Sequence, residues 1–225
     1  VAERCLFKFA HSLEALAELN DGITSPATVG KAITVYPDQD RVRRLGGLLV
    51  ELLRGRSGPR VLSDRRLEES APVYYRYGPF RTEERRDGLG RPSNTLRGPD
   101  GEEFDGSATL EYRQPPWVTD PFTSGTSEGR PPSSRVDLLG GRYRVTSGVR
   151  ESARGSVYRA VDRATGRSVI VKQARAFVAE GLDRADARTR LRNERRVLVA
   201  ADGVVGVPRF VDHFRHANDQ FLVIT

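Results

Sequence analysis

The sequence predicts an α+β fold organised in two parts, and three observations lead to it. Residues 1–80 alternate short strand-like runs with runs of helical spacing, in β-α-β-α order. Residues 81–135 lose periodicity and fill with Gly, Pro, Ser, Arg and Asp, the composition of a connecting stretch. From Arg142 onward, strand-like runs return at close spacing around turn sequences and one helix.

Taken in order, RCLFKFA (4–10) reads as a short strand. Ser12 is placed to cap a helix over SLEALAELN, where Leu13, Leu16 and Leu19 form an apolar stripe. After a turn rich in Gly, Thr, Ser and Pro, KAITVYP (31–37) alternates as a strand should and stops at Pro37. DQDRVRRLGGLLVELLRG then carries Val42, Leu45, Leu49 and Leu52 at helical spacing. PRVLSD (59–64) and VYYRYG (73–78) are two further strand-like runs, so the first half predicts a mixed or antiparallel sheet. Within the aperiodic stretch, ATLEYR (108–113) and PPWVTDPF (115–122) stand out, the second as an anchored patch. In the last part DRATGR (162–167) reverses a strand pair, a helix is expected near 182–200, and VPRFVDHFRHANDQFLVIT supplies two more strands. The domain reading is therefore 1–80, a linker at 81–141, and 142–225.

At 225 residues the chain can bury an ordinary core, and 37 Lys and Arg against 30 Asp and Glu give a net charge of +7. That balance favours an anionic partner: a phosphopeptide, an acidic peptide segment, a nucleotide or nucleic acid. Cys5 is the only cysteine, which excludes an internal disulfide framework and points to a cytoplasmic protein with a buried thiol. No apolar run approaches the roughly 20 residues a membrane span needs, and no membrane partner is expected. The chain holds no Met, including at position 1, and reads as an internal fragment.

The last part carries a phosphate-transfer constellation. A glycine-rich turn, a strand Lys for the α/β-phosphates and a helix Glu that orients it are the parts a protein kinase needs. Gly155 and Val157 fit the end of GxGxxGxV, with Arg150 and Ser152 where the first two glycines belong. VIVK (169–172) matches the strand motif, placing Lys172 on the face of Ile170, which replaces the usual small Ala. In LRNERRVL, Glu194 lies three residues after Leu191 and four before Leu198, on the inward edge of an amphipathic helix. Singly, each feature has an ordinary alternative: a turn Gly, a solvated Lys, a Glu paired with Arg190. In order and spacing, residues 143–225 resemble the N-terminal lobe of a Ser/Thr protein kinase. The resemblance implies a five-stranded antiparallel sheet plus one helix, with FLVIT leading to a hinge.

The first part is rich in cations suited to a different step. Eliminating phosphate from phosphoserine or phosphothreonine needs a base for the α-proton and cations for the departing dianion. Lys8 sits between apolar neighbours, Lys31 opens the second strand, and Arg65, Arg66 and Arg76 flank Tyr74, Tyr75 and Tyr77. A desolvated Lys beside other cations loses pKa, and Lys8 is the base candidate on that reasoning. A snorkelling strand Lys, a solvated SDRR turn capped by Asp64, and sheet-packing tyrosines are the ordinary alternatives.

KAITVYP, GPRVLSDRRL, VYYRYGPF, PPWVTDPF and the degenerate kinase loop, in this order, resemble the class III lanthipeptide synthetases. The family joins a phosphothreonine-lyase-like domain, a kinase-like domain and a cyclase-like domain that phosphorylate, dehydrate and cyclise a precursor peptide. The resemblance implies an incomplete lyase-like domain here and the N-lobe of the kinase-like one. By it, Lys8 matches a catalytic lyase Lys, Arg65 and Arg76 match phosphate-region arginines, and Lys31 and Tyr36 are further contacts. Ser152, Gly155, Val157, Lys172 and Glu194 match the nucleotide site. ATP or GTP is the implied donor, with Mg²⁺ held by residues outside this chain. A precursor peptide with leader and Ser/Thr/Cys core is the implied partner. His11 follows Lys8 too closely to stand for the family's general-acid His, whose strand belongs upstream; the kinase catalytic-loop Asp and the cyclase are likewise expected elsewhere, and the chain alone is expected to be inactive. Two rivals remain: an ordinary Ser/Thr kinase with an N-terminal docking or regulatory domain, and a basic binding module without catalysis. No nucleic-acid motif supports the second.

Overall fold

A computed structural model describes residues 4–23, 27–78, 94–107, 109–123, 138–181 and 185–225. Pro79 and Phe80 of VYYRYGPF, Ala108 of ATLEYR, much of the predicted linker and residues 182–184 at the head of the last predicted helix lie outside them. The chain divides by its internal contacts into two units. The first comprises Val1–Ala10, Lys31–Ser57 and Val61–Ser127; the second comprises His11–Gly30, Gly58–Arg60 and Glu128–Thr225. The architecture is mixed helix and sheet, with three helices among the described residues. None of these is long and apolar enough to cross a membrane.

In the first unit β1 (Leu6–Phe9) and β2 (Ile33–Tyr36) form an antiparallel ribbon in which Lys8 faces Thr34 and Leu6 faces Tyr36. Helix α2 (Val42–Leu53) follows β2. Its buried face is not quite the predicted stripe: Gly46 and Val50 are buried, while Leu52 is 75% exposed. The reason is local, because a Cβ on Gly46 would lie 2.8 Å from the ring of Phe122, so the helix seats an aromatic where it carries no side chain. Val50, Ala71 and Val73 make a small core with Leu49 and Leu67. PRVLSD is a turn rather than a strand; the strand begins at Arg65, where β3 (Arg65–Arg66) pairs with β4 (Tyr74–Tyr75). The hairpin β5 (Thr95–Arg97) and β6 (Glu103–Asp105) lies in the stretch read as linker. In PPWVTDPF, Pro115 is fully buried, Trp117 meets Phe104 edge-on, and Phe122 packs on Tyr75 at 4.6 Å.

The second unit is built on one five-stranded antiparallel sheet. Its strands are β7 (Tyr143–Ser152), β8 (Gly155–Asp162), β9 (Ser168–Ala174), β10 (Phe210–His216) and β11 (Asp219–Ile224), in the order β10-β11-β9-β8-β7. DRATGR turns β8 into β9, as read, with Asp162 accepting from the Ala164 and Thr165 ends of the turn. Alternation along the strands splits the core. Tyr143, Ala160, Val169, Val171, Phe221 and Val223 cluster on one face; Ala174, Leu222 and Ile224 meet Leu191 and Leu198 of helix α3 (Ala187–Ala200) on the other. Asp186 caps α3 through the amides of Arg188 and Thr189. Helix α1 (Leu13–Leu19) also belongs to this unit, capped by Ser12 as predicted, its Oγ accepting from Ala15 N at 3.1 Å.

Candidate functional sites

In the second unit the antiparallel register puts Val157 of β8 directly opposite Lys172 of β9, with Leu222 of β11 on the other side of the lysine. Lys172 and Ile170 share a face, and Ile170 packs into the cluster beneath α3. From that face Lys172 Nζ reaches Glu194 Oε1 at 2.5 Å, the two side chains being 33% and 38% exposed. Helical periodicity explains the meeting: Leu191 and Leu198 point into the core and carry Glu194 to its edge. A charged pair at the edge of a sheet, about a third exposed on each side, can hold anionic oxygens without full desolvation.

Ser152 and Gly155 close the β7–β8 hairpin, facing each other across a two-residue turn, with Ser152 Oγ donating to Gly155 O at 2.9 Å. Gly155 has its own packing reason: a Cβ there would lie 1.9 Å from the Gln173 carbonyl oxygen, so only glycine fits. Beneath the turn, buried Arg175 donates to Ser152 O, to Ser156 Oγ at 3.1 Å and to Glu151 at 3.3 Å. Sequence reading did not find Arg175; only the fold brings it under the turn.

The first unit gathers the predicted cations, with one change of emphasis. Lys8 is exposed on β1, its Nζ 5.8 Å from the Tyr36 ring centroid, so the desolvation argued for it from sequence is not its environment. Lys31 is the half-buried lysine: its Nζ lies 3.1 Å from both Asp64 Oδ1 and Ser63 Oγ. Burial lowers its pKa below the ordinary lysine value against the pull of Asp64, and the charges of Arg76 and Lys8 lower it further. Arg65 bonds Asp120 and stacks 5.0 Å over the Tyr112 ring, while Arg76 donates to Gly106 O at 2.6 Å. Tyr75 O–H donates to both carboxylate oxygens of Asp120. Burial, with Asp120 adding, pushes this hydroxyl up to about 12, so it serves as a proton-bearing donor at neutral pH. Asp64, Tyr112 and Asp120 were not singled out for the site by sequence; Asp120 belongs to the patch read as anchored, and its carboxylate is what the anchor delivers. His11 is exposed just ahead of the α1 cap. Among the described residues no group of three or more His, Cys, Asp or Glu is placed to hold a metal ion.

As a class, then, the chain is an α+β protein joining a unit rich in half-buried and exposed cations to a sheet-and-helix unit with a Lys–Glu pair at its edge. It belongs to the RamC N-terminal domain family, whose model matches residues 1–132. It is also similar to the probable SapB synthase of Streptomyces coelicolor, 38% identical over 220 residues. That alignment covers 97% of this chain and 23% of the relative, so the chain spans about a quarter of the relative's length. The two matches bear out the membership in the lanthipeptide synthetases read from the sequence motifs.

Proposed function

We propose that this chain contributes two reaction centres to a lanthipeptide synthetase, one phosphorylating Ser or Thr of a precursor peptide and one eliminating the phosphate. The observation that carries the reading is the Lys172–Glu194 pair, set opposite Val157 at the root of the β7–β8 hairpin. In the first step Lys172 holds the α- and β-phosphates of ATP or GTP, Glu194 keeps it aimed, and the hairpin from Ser152 to Val157 covers the nucleotide. This makes the second unit a kinase-like N-lobe. Its described residues offer no cluster of His, Cys, Asp or Glu suited to Mg²⁺.

In the elimination step an amine takes the α-proton, the Cα–H electrons form the Cα=Cβ bond, and the Cβ–O bond breaks to release phosphate. Lys8 is the base by its family match, exposed on β1 where a peptide can reach it. Arg65, Arg76 and Lys31 hold the departing phosphate, with Tyr36 beside Lys8. Arg65 and Lys31 are already paired to Asp120 and Asp64, so binding a phosphopeptide exchanges these carboxylates for phosphate oxygens.

The test is mass spectrometry of a phosphothreonine peptide incubated with the synthetase that carries this chain, beside its Lys8→Ala and Lys172→Met variants supplied with unphosphorylated precursor. Lys8→Ala is expected to accumulate phosphopeptide, and Lys172→Met to leave the precursor unmodified. Phosphate loss at the native rate from Lys8→Ala would remove Lys8 from the base role. Phosphopeptide accumulating in the native enzyme favours an ordinary kinase with a docking domain.

A further inference from the structure

We infer that His11–Ile23, tied back at Gly30, is a positioning strap for the β7–β8 hairpin and for the start of α3, with Asn20 and Gly22 as its positioning residues. The inference deepens the kinase half of the proposed function; its purpose rests on that reading, while its geometry stands by itself. The strap is short. Ser12 caps α1, Asn20 ends it, and the Asn20 side chain accepts from Gly30 N at 2.7 Å, closing the segment on itself.

The closed segment makes two contacts that matter. At the hairpin turn, Arg154 Nε donates to Asp21 O at 2.6 Å, and a Cβ on Gly22 would lie 3.2 Å from both Ala153 Cβ and Arg154 Cγ. Gly22 has φ +69°, so a side chain there is both crowded and strained. Between β9 and α3, Ala179 N donates to Asn20 O at 2.7 Å, and a Cβ on Gly22 would also lie 3.4 Å from Cγ1 of fully buried Val178.

That second contact reaches the helix that carries Glu194. Ala187 N, the first residue of α3, donates to Val178 O at 2.9 Å. Phe177 and Ala179 both hold left-handed backbone, with φ of 61° and 56°, around Val178. Such conformations persist in residues with side chains only where the surroundings hold them; here Asn20 O accepts from Ala179 N, the Asp186 carboxylate accepts from Phe177 N, and Ala187 N donates to Val178 O. One end of the strap thus grips the turn over the nucleotide position, and the other grips the loop that sets the start of α3. In kinases the placement of that helix decides whether the Lys–Glu pair forms.

Gly22→Val in the full chain, followed by amide hydrogen exchange, tests this. Exchange at Ala153–Ser156 and at Val178–Ala179 is expected to rise at least tenfold, with Phe221–Val223 of the central sheet unchanged. Unaltered exchange at both places would overturn the strap. If Gly22→Val also strips protection from β11, Arg154→Ala decides instead: it removes the bond to Asp21 and the side chain over Gly22 without adding bulk, and faster exchange confined to the hairpin turn supports the strap, while native rates there refute it. A fluorescent ATP analogue supplies the second readout, its affinity expected to fall several-fold in Gly22→Val at an unchanged urea midpoint. Analogue that binds equally well to both chains overturns the positioning role. If the synthetase carrying the native chain binds no analogue, that counts against the kinase reading, and the exchange rates then decide the strap.

Discussion

In the second unit the central strand β9 is covered on both faces, Val169 and Val171 meeting one apolar cluster and Ile170 and Ala174 the other. In the first unit the strands are two to four residues long, the core is small (Val50, Ala71 and Val73), and polar ties such as Arg65–Asp120, Lys31–Asp64 and Arg76–Gly106 link its segments. The comparison separates two ways of building a site. One places a single ion pair at the edge of a scaffold that is stable without it; the other makes the site's own charges part of what holds the scaffold. A mutation at a functional position should therefore be cheap in the second unit and costly in the first.

The comparison breaks or sharpens at four positions. The largest effect is expected for Leu222→Ala, which empties a fully buried site shared with α3 and should cost about 2–5 kcal/mol in the second unit, read from its urea transition. Asp120→Ala is expected next, at about 1–3 kcal/mol, because it strips partners from Arg65, Tyr75 and the Phe122 amide; the loss should appear in the first unit alone.

A third effect depends on pH. The bidentate bonds from Arg142, at 2.7 Å each, together with the turn amides hold Asp162 well below the usual carboxylate range. A depressed carboxylate contributes stability that is present above its unfolded value of about 3.9 and is lost as pH falls through its folded value. Unfolding of the second unit followed from pH 6 to pH 2 should therefore steepen below pH 4, and Asp162→Asn should flatten that acid slope. The smallest effect is expected for Lys172→Met. The pair is about a third exposed on each side, so its loss should change stability by about 1 kcal/mol or less, while nucleotide binding is lost. A large stability loss in Lys172→Met would erase the distinction between the units.

Much of the second unit was legible in the sequence because its periodicities are strong. DRATGR, VIVK and LRNERRVL each state a local structure, and the meeting of Lys172 with Glu194 follows from strand alternation and helical spacing. The first unit was legible only in part. PRVLSD has a strand's composition but turns, and the β5–β6 hairpin lies in residues too polar and irregular to announce it. The α2 face was misread by one position in four because Phe122, more than seventy residues on, sits against Gly46.

What the sequence determined by itself is local: element order in the last third, helix caps at Ser12, the reversal at DRATGR, and which residue types carry charge. These depend on neighbours within a few positions, where spacing alone settles which side chains meet. Burial and long-range pairing were decided only by the tertiary structure. It half-buried Lys31 and left Lys8 exposed, gave Asp120 to Arg65 and Tyr75, slid Arg175 under the hairpin, and joined residues 11–30 to the second unit. Each of these turns on desolvation or on contacts between residues far apart in the chain, and no local pattern encodes either.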